Sequence, residues 1–381
     1  MPLPPEPREG KPLLVKGRPL QFTFWPMYRN TRRYGLQSMV FALDPWILIK
    51  DGIRRRCPAA AQKEALAYLE QSRDFFVSAT LANVTAARPL QLYYSFLNLA
   101  KSLMLTNGPR PTLGYVEHGL SERLKSGGVE FVDAFLQAFK SPNSKGKDQC
   151  FDELLKTIAG TGLAADKPFN LVNLLPQILT GHRLWSSAAA QIERFISIHE
   201  LEFNQDESSK RVWLRLYFFA DDLTRWGITH AQMLQHARLA GKFHEVRCKR
   251  EINNRKLLCF EQTTPAVYSG RPSDAIPGVV GDVRQFLWVA INTDPPYRRY
   301  YVYLAPPVEH GEVLPQISSI YAVMYYLGSI VRYRPQHFDS ITSGKYGPRI
   351  EEFINGIPAQ FIYLMASEFV LRQVTRPALV S

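Results

Sequence analysis

At 381 residues, the chain is long enough for two domains or for one large domain with an insertion, and it can bury a sizeable core without covalent staples. A hydrophobic fraction of 46% with 12% aromatic residues is that of an ordered globular protein and excludes a disordered, low-complexity class. The formal charge of +12, with a pI near 9.5, favours anionic partners such as nucleic acid, because Lys and Arg release counterions when they meet phosphate.

No apolar run approaches the roughly 18 to 20 residues of a membrane span, and the N-terminal text lacks the apolar stretch of a signal peptide. A cytoplasmic protein with no membrane partner is expected. Cys57, Cys150, Cys248 and Cys259 form no CxxC pair, so neither a zinc ribbon nor a disulfide framework is indicated.

The Pro-rich opening is expected to be an arm laid over a neighbouring surface. From Ala59, "AAAQKEALAYLEQSRDFFVSAT" is rich in helix formers, and Ala65, Leu69, Phe76 and Ala79 recur near the helical period, which predicts a long helix. After a break at "NVTAARP", "LQLYYSFLNLAKSLML" is apolar on nearly every face and stops at "TNGPRP". It is expected to be the buried central helix of a bundle.

Residues 121 to 200 read as shorter helices ("GGVEFVDAFLQAFK", "CFDELLKTIA", "LVNLLPQIL", "SSAAAQIERFISI") between polar loops. In "KRVWLRLYFFA" the set Val212, Leu214, Leu216 and Phe218 alternates with Arg211, Trp213, Arg215 and Tyr217, the period of a strand. "EVRCKREI", "RKLLCFEQ", "QFLWVAIN" and "RRYYVYLAP" extend the strand-like region, with "THAQMLQHARLA" a helix inside it. Beyond "PPVEHGEVLPQ", helix returns in "ISSIYAVMYYLGSIVRY" and "IEEFINGIPAQFIYLMASEFVLRQV".

The fold class expected from this order is α+β, predominantly α: a helical bundle built from the N- and C-terminal parts and interrupted by a mixed, β-containing insertion. The boundaries are an arm and lead-in over 1–58, a helical part over 59–204, a β-rich insertion over 205–312 and completing helices over 313–381.

"EALAYLEQSRDFFVSAT", "LQLYYSFLNLAKSLML" and "VEHGLSERL" resemble the successive helices and His-Gly turn of HEPN domains. The combination "ARPLQLYYSFLNLAKSLML", "EHGL" and "SSIVRYRP" is similar to the YaaC-like family of bacterial proteins, over roughly residues 60–125 and 315–375. The HEPN resemblance implies a metal-independent endoribonuclease, without a cofactor, whose active site is an Arg and a His separated by four to six residues at a homodimer interface. Arg332-Tyr-Arg-Pro-Gln-His337 has that spacing, with Tyr333 where a polar residue is common and Pro335 inside the motif. A stress, toxin-antitoxin or anti-phage setting, with a regulatory protein partner, goes with the same resemblance.

The chemistry suits these residue types. Cleaving RNA without metal needs a group to take the 2′-OH proton, one to protonate the leaving oxygen, and positive charge at the phosphorane. His337 exchanges a proton near neutral pH, and Arg332 offers a bidentate fork; Arg334 would hold an adjacent phosphate. On an unbroken helix positions five apart lie about 140° apart. Pro335 is therefore expected to break the helix near Arg334 and restart it. In the plainer account both arginines complement the helix C-terminus and His337 is a loop residue.

Tyr94, Asn98 and Lys101 share one helix face, either as a buried polar seam or as a phosphate-binding edge reaching the Arg332 and His337 cleft, with Arg88 joining from the helix start. His118 before Gly119 reads first as a capping or packing residue. "KFHEVRCKREINNRK" reads as a basic strand face for nucleic acid or as a solvated sheet edge. His230 with His236, or His244 with Cys248, lacks further ligands for a metal. P-loop, nucleophile-elbow and HExxH motifs do not occur. Two functions follow: an endoribonuclease, or a non-catalytic HEPN-like module binding nucleic acid, a nucleotide or a partner protein through the same basic pocket.

Overall fold

The computed structural model describes residues 3–15, 17–20, 22–25, 39–81, 86–108, 112–286, 289–291, 300–305 and 313–377. The fold is mixed α+β, more helical than strand, and it divides into two compact units. A helical unit takes Leu43–Glu193 and Gly311–Val370, and a β-rich unit takes Met1–Ala42, Arg194–His310 and Leu371–Ser381. Parts of the breaks expected at "NVTAARP" and "PPVEHGEVLPQ", and of "TNGPRP", "QFLWVAIN" and "RRYYVYLAP", lie outside the described residues.

In the helical unit the helix Arg88–Asn107 is central, buried along almost its whole length as its continuous apolar text requires. Ala59–Leu81 lies along it: Ser72 donates to the Ser95 carbonyl at 2.7 Å, and Ser102 to the Ala65 carbonyl at 2.8 Å. Phe96 stacks on Phe361 of the helix Gly347–Val370, with ring centroids 3.8 Å apart. Gln316–Tyr333 packs so closely on its other flank that a Cβ at Gly328 would sit 2.9 Å from Tyr93 Cβ. The predicted break is present. Gln316–Tyr333 ends at Arg334, whose φ of −144° and ψ of 58° are not helical, and Pro335 opens the helix Pro335–Ser343.

The expected helix over "GGVEFVDAFLQAFK" is replaced by a 3-10 turn at Phe131–Asp133 and a strand, Ala134–Ala138. That strand pairs antiparallel with Leu120–Leu124 on one side and Lys167–Asn170 on the other. Tertiary pairing wins because Ala134, Leu136 and Ala138 alternate inward, a period hidden under good helix formers. "SSAAAQIERFISI" likewise splits: the helix His182–Ala189 stops, and Phe195–Ile198 is a strand paired with Tyr300–Tyr303. "LVNLLPQIL" shortens to Leu171–Leu174 and a 3-10 turn, and Cys150–Ala159 is the helix expected.

The β-rich unit centres on an antiparallel sheet in the order Lys11–Pro12, Glu200–Asp206, Arg211–Phe219, Arg255–Gln262, Phe243–Val246. Val212, Leu214, Leu216 and Phe218 face a core shared with Phe203, Phe260 and Val279. The opposite face is covered too. The N-terminal arm crosses it, so that Trp213 is fully buried, and any Cβ on Gly10 would strike the Trp213 ring. Beneath the arm Glu261, 1% exposed, accepts from Trp213 Nε1 at 3.1 Å and Arg215 Nε at 2.8 Å, and the Arg8 backbone N–H reaches it at 3.3 Å. Gln373–Thr375 pairs parallel with Met39–Phe41, which is why both chain ends fall in the unit that holds the insertion.

Candidate functional site

The site lies in the helical unit, where the central helix presents neighbouring tyrosines to two different partners. Tyr94 is half-buried, stacked on Phe75 with centroids 5.5 Å apart, and its hydroxyl accepts from Arg332 Nη1 at 3.2 Å. The Arg332 guanidinium also lies 4.9 Å from the centre of the exposed Tyr333 ring. Tyr93, one position earlier and turned by about 100°, is buried against Tyr321 and Tyr325. Its hydroxyl meets His118 Nδ1 at 2.5 Å.

His118 is placed by the loop between two short pairings. Val116–Glu117 pairs with Asp148–Gln149, and Leu120–Leu124 joins the three-stranded sheet. Gly119, at φ +79°, makes the turn between them, where a Cβ would sit 2.9 Å from the Phe151 amide nitrogen. The Phe151 N–H in turn donates to the His118 carbonyl at 3.3 Å, which fixes the loop on the first turn of Cys150–Ala159. The imidazole is therefore flanked by the Tyr93 and Tyr325 rings, and the residue remains exposed.

Two cations bear on His118. Burial of its inner side, followed by the charges of Lys101 and Arg332, pushes the His118 pKa below the ordinary 6.5. Lys101 lies over the Tyr68 ring at 5.3 Å, on the same face of the central helix as Tyr94 and Asn98. Asn98 is 7% exposed on that helix.

His337 is held elsewhere. The helix restart at Pro335 carries it back to Tyr326, whose hydroxyl meets Nε2 at 2.7 Å, and its ring also hydrogen-bonds the Val129 carbonyl. A carbonyl only accepts, so the Val129 contact takes the Nδ1–H and Tyr326 donates to Nε2. Both ring nitrogens are occupied. Burial is the main cause that lowers its pKa below 6.5, with the Arg334 charge acting in the same direction.

The break at Arg334 is thus present, and it sends Arg332 and His337 to different tyrosines. Arg332 bears electrostatically on His118, whereas the charge bearing on His337 is that of Arg334, which is exposed at the break. Arg88 serves the helix start: its Nε donates to the Ala79 carbonyl at 3.0 Å and its Nη1 to Asn355 Oδ1 at 2.5 Å. From the expected set, Tyr94 holds Arg332, and the charges of Arg332 and Lys101 both bear on His118. Sequence reasoning ranked His118 as a packing residue because one His before a Gly carries no spacing signal.

In the β-rich unit the three arginines of the basic segment form ion pairs. Arg247 pairs with Glu6, Arg250 with Glu200 at 2.6 Å, and Arg255 with Asp221 at 2.7 Å. His230 bonds Glu245 at 2.8 Å and His244 reaches Thr263 at 3.4 Å, each a structural contact.

The lowered histidines make a pH prediction. Between the lowered folded pKa and 6.5 the unfolded chain binds more protons, so stability falls as pH drops through that window. Thermal melts from pH 7.5 to 5.5 should show Tm falling on acidification, with a shallower slope in His337→Gln. An unchanged slope in that variant would remove His337 from the linkage.

A family model described as YaaC-like Protein matches residues 41–369. No curated protein and no solved structure matches the chain.

Proposed function

The chain belongs to the YaaC-like family, and from that premise we propose that it binds phosphate-bearing nucleic acid, RNA in the first place, in the basic pocket of Tyr94, Lys101 and Arg332. The observation that carries this reading is the arrangement of Arg332. Among the described residues its guanidinium is held by a tyrosine hydroxyl and an aromatic ring and has no carboxylate partner, and its charge bears on His118 together with that of Lys101. An arginine fork so placed suits a phosphodiester, and the exposed rings of Phe75 and Tyr333 beside it suit the stacking of unpaired bases. The net charge of +12 adds the long-range attraction.

Cleavage is the second reading. A histidine that is neutral at pH 7 beside fixed cations can exchange a proton while the cations stabilise a phosphorane, with no metal needed. In this reading the helical unit is HEPN-related, a homodimer would bring two such pockets together, and Arg332 and His337 are the pair expected from the resemblance.

The test is binding of a fluorescein-labelled 12-nucleotide single-stranded RNA, followed by anisotropy, together with gel assays for cleavage in EDTA. Arg332→Ala and Lys101→Ala should each weaken binding by about ten-fold and lower the salt slope by about one. If both variants bind as wild type does, the pocket is not the binding site. Cleavage in EDTA that His337→Ala abolishes while binding persists would favour the second reading with its expected pair.

A further inference from the structure

We propose that His118 is the third phosphate-contacting group of this pocket, presenting Nε2–H to a phosphodiester oxygen of single-stranded RNA while Tyr93 holds Nδ1. This rests on the pocket reading above and names the histidine that works in it. Geometry separates the two candidates. His337 has both ring nitrogens engaged inside the protein, at Tyr326 and at the Val129 carbonyl. Among the described residues His118 has only its Nδ1 engaged, at Tyr93; the residue is exposed, and the charges of Lys101 and Arg332 bear on it.

A buried chain of hydroxyls sets which nitrogen carries the proton. Tyr93 is hydrogen-bonded to Tyr321, and the Tyr321 hydroxyl lies 3.7 Å from Cys150 Sγ, where the helix Cys150–Ala159 begins. Each phenol has one proton to give. Imidazole nitrogen is the strongest acceptor in the row, so the protons run toward it: Tyr321 to Tyr93, and Tyr93 to His118 Nδ1. The neutral ring then carries its proton on Nε2, facing out. When His118 gains a second proton, Tyr93 must accept from Nδ1–H, and it does so by turning its own proton to Tyr321. The chain thus serves both charge states without leaving a buried donor unmatched. Tyr93 is a positioning residue.

The substitutions separate the roles because glutamine places an amide N–H close to the position of Nε2–H, while alanine removes it. With the same labelled RNA at pH 7, His118→Ala should weaken binding about ten-fold and His118→Gln by no more than about two-fold. Wild-type affinity should rise as pH falls from 7.5 to 5.5, because bound phosphate favours the imidazolium, and this limb should vanish in His118→Gln. In ¹⁵N spectra of histidine-labelled protein, His118 should be the Nε2–H tautomer, and Tyr93→Phe should convert it to a mixture.

Should His118→Ala bind as wild type does while Arg332→Ala is weakened, the role of His118 is wrong and the pocket reading stands. Equal losses in the alanine and glutamine variants would mean that His118 acts by packing, which also overturns the proposal. Loss of neither site, with Arg332→Ala binding normally, rejects the pocket itself.

Discussion

Glu261→Ala is expected to lower stability by about 3–5 kcal/mol, because it leaves the guanidinium of Arg215 buried without its counter-charge. The carboxylate sits between two sheet strands and the N-terminal arm. Arg215 Nη2 is 2.7 Å from Oε2, Trp213 Nε1 shares that oxygen, and Arg8 approaches Oε1 at 3.5 Å. Arg215 in turn donates to the Arg8 carbonyl at 2.6 Å, so the arm and the sheet are joined through one buried charge. Removing it leaves the largely buried Arg215 guanidinium and a buried indole N–H without their carboxylate, and the partly exposed Arg8 without its ion pair. Against a typical total of about 5–15 kcal/mol, the loss is large enough to show at once in urea unfolding followed by tryptophan fluorescence. Glu261→Gln keeps the shape and one acceptor and should lose less. A midpoint for Glu261→Ala within error of wild type would show that the pair contributes nothing to folding.

Asp152→Ala is expected to cost a similar amount, about 3–5 kcal/mol, and to weaken RNA binding besides. Asp152 is fully buried, accepts from the Ser141 amide at 2.8 Å and the Leu163 amide at 2.5 Å, and pairs with Lys156 at 3.1 Å. It therefore ties the loops on either side of the helix Cys150–Ala159 to that helix. The first turn of the same helix carries Cys150, at the end of the tyrosine chain, and the Phe151 N–H that anchors the His118 carbonyl. Loosening it should release His118 as well as lower the unfolding midpoint. Denaturant titration reads the first effect, and RNA anisotropy at a temperature where the variant is still folded reads the second. Binding equal to wild type in a folded, destabilised Asp152→Ala would uncouple this helix from the pocket.

The parts of the fold legible in the sequence were those where local and tertiary preferences agree. The long helices Ala59–Leu81, Arg88–Asn107 and Gln316–Tyr333 follow from their apolar period, and the stop at Arg334 follows from the proline after it. The strand Ala134–Ala138 was hidden because Ala, Leu and Gln favour helix, while its edges are claimed by other strands, Leu136 lying opposite Glu122 on one side and Phe169 on the other. Trp213 and Arg215 read as an outer strand face since nothing in that strand announces the arm that covers them.

The candidate site was half legible. Tyr94 and Lys101 could be named from spacing on a helix, where position fixes direction, and Arg332 from the motif that the resemblance implies. His118 could not, because its place depends on a loop, on a left-handed glycine and on a buried hydroxyl chain assembled from the separate segments that hold Tyr93, Tyr321 and Cys150. The pairing of Arg332 with His337 was drawn from the HEPN resemblance and the four-residue spacing that fits it. Pro335 does reset the helix, and the reset directs His337 toward Tyr326.

The division of the chain has a consequence for its synthesis. The helical unit takes its last segment from Gly311–Val370, so the central helix lacks its flanking helices Gln316–Tyr333 and Gly347–Val370 until the ribosome has passed them. The β-rich unit likewise waits for Gln373–Thr375 to reach Met39–Phe41. At about 5–20 residues per second, the nascent chain exposes the apolar flank of Arg88–Asn107 for ten seconds or more. Chaperone engagement during translation, rather than spontaneous early folding, is the expected course, and truncation before Gly347 should yield insoluble product.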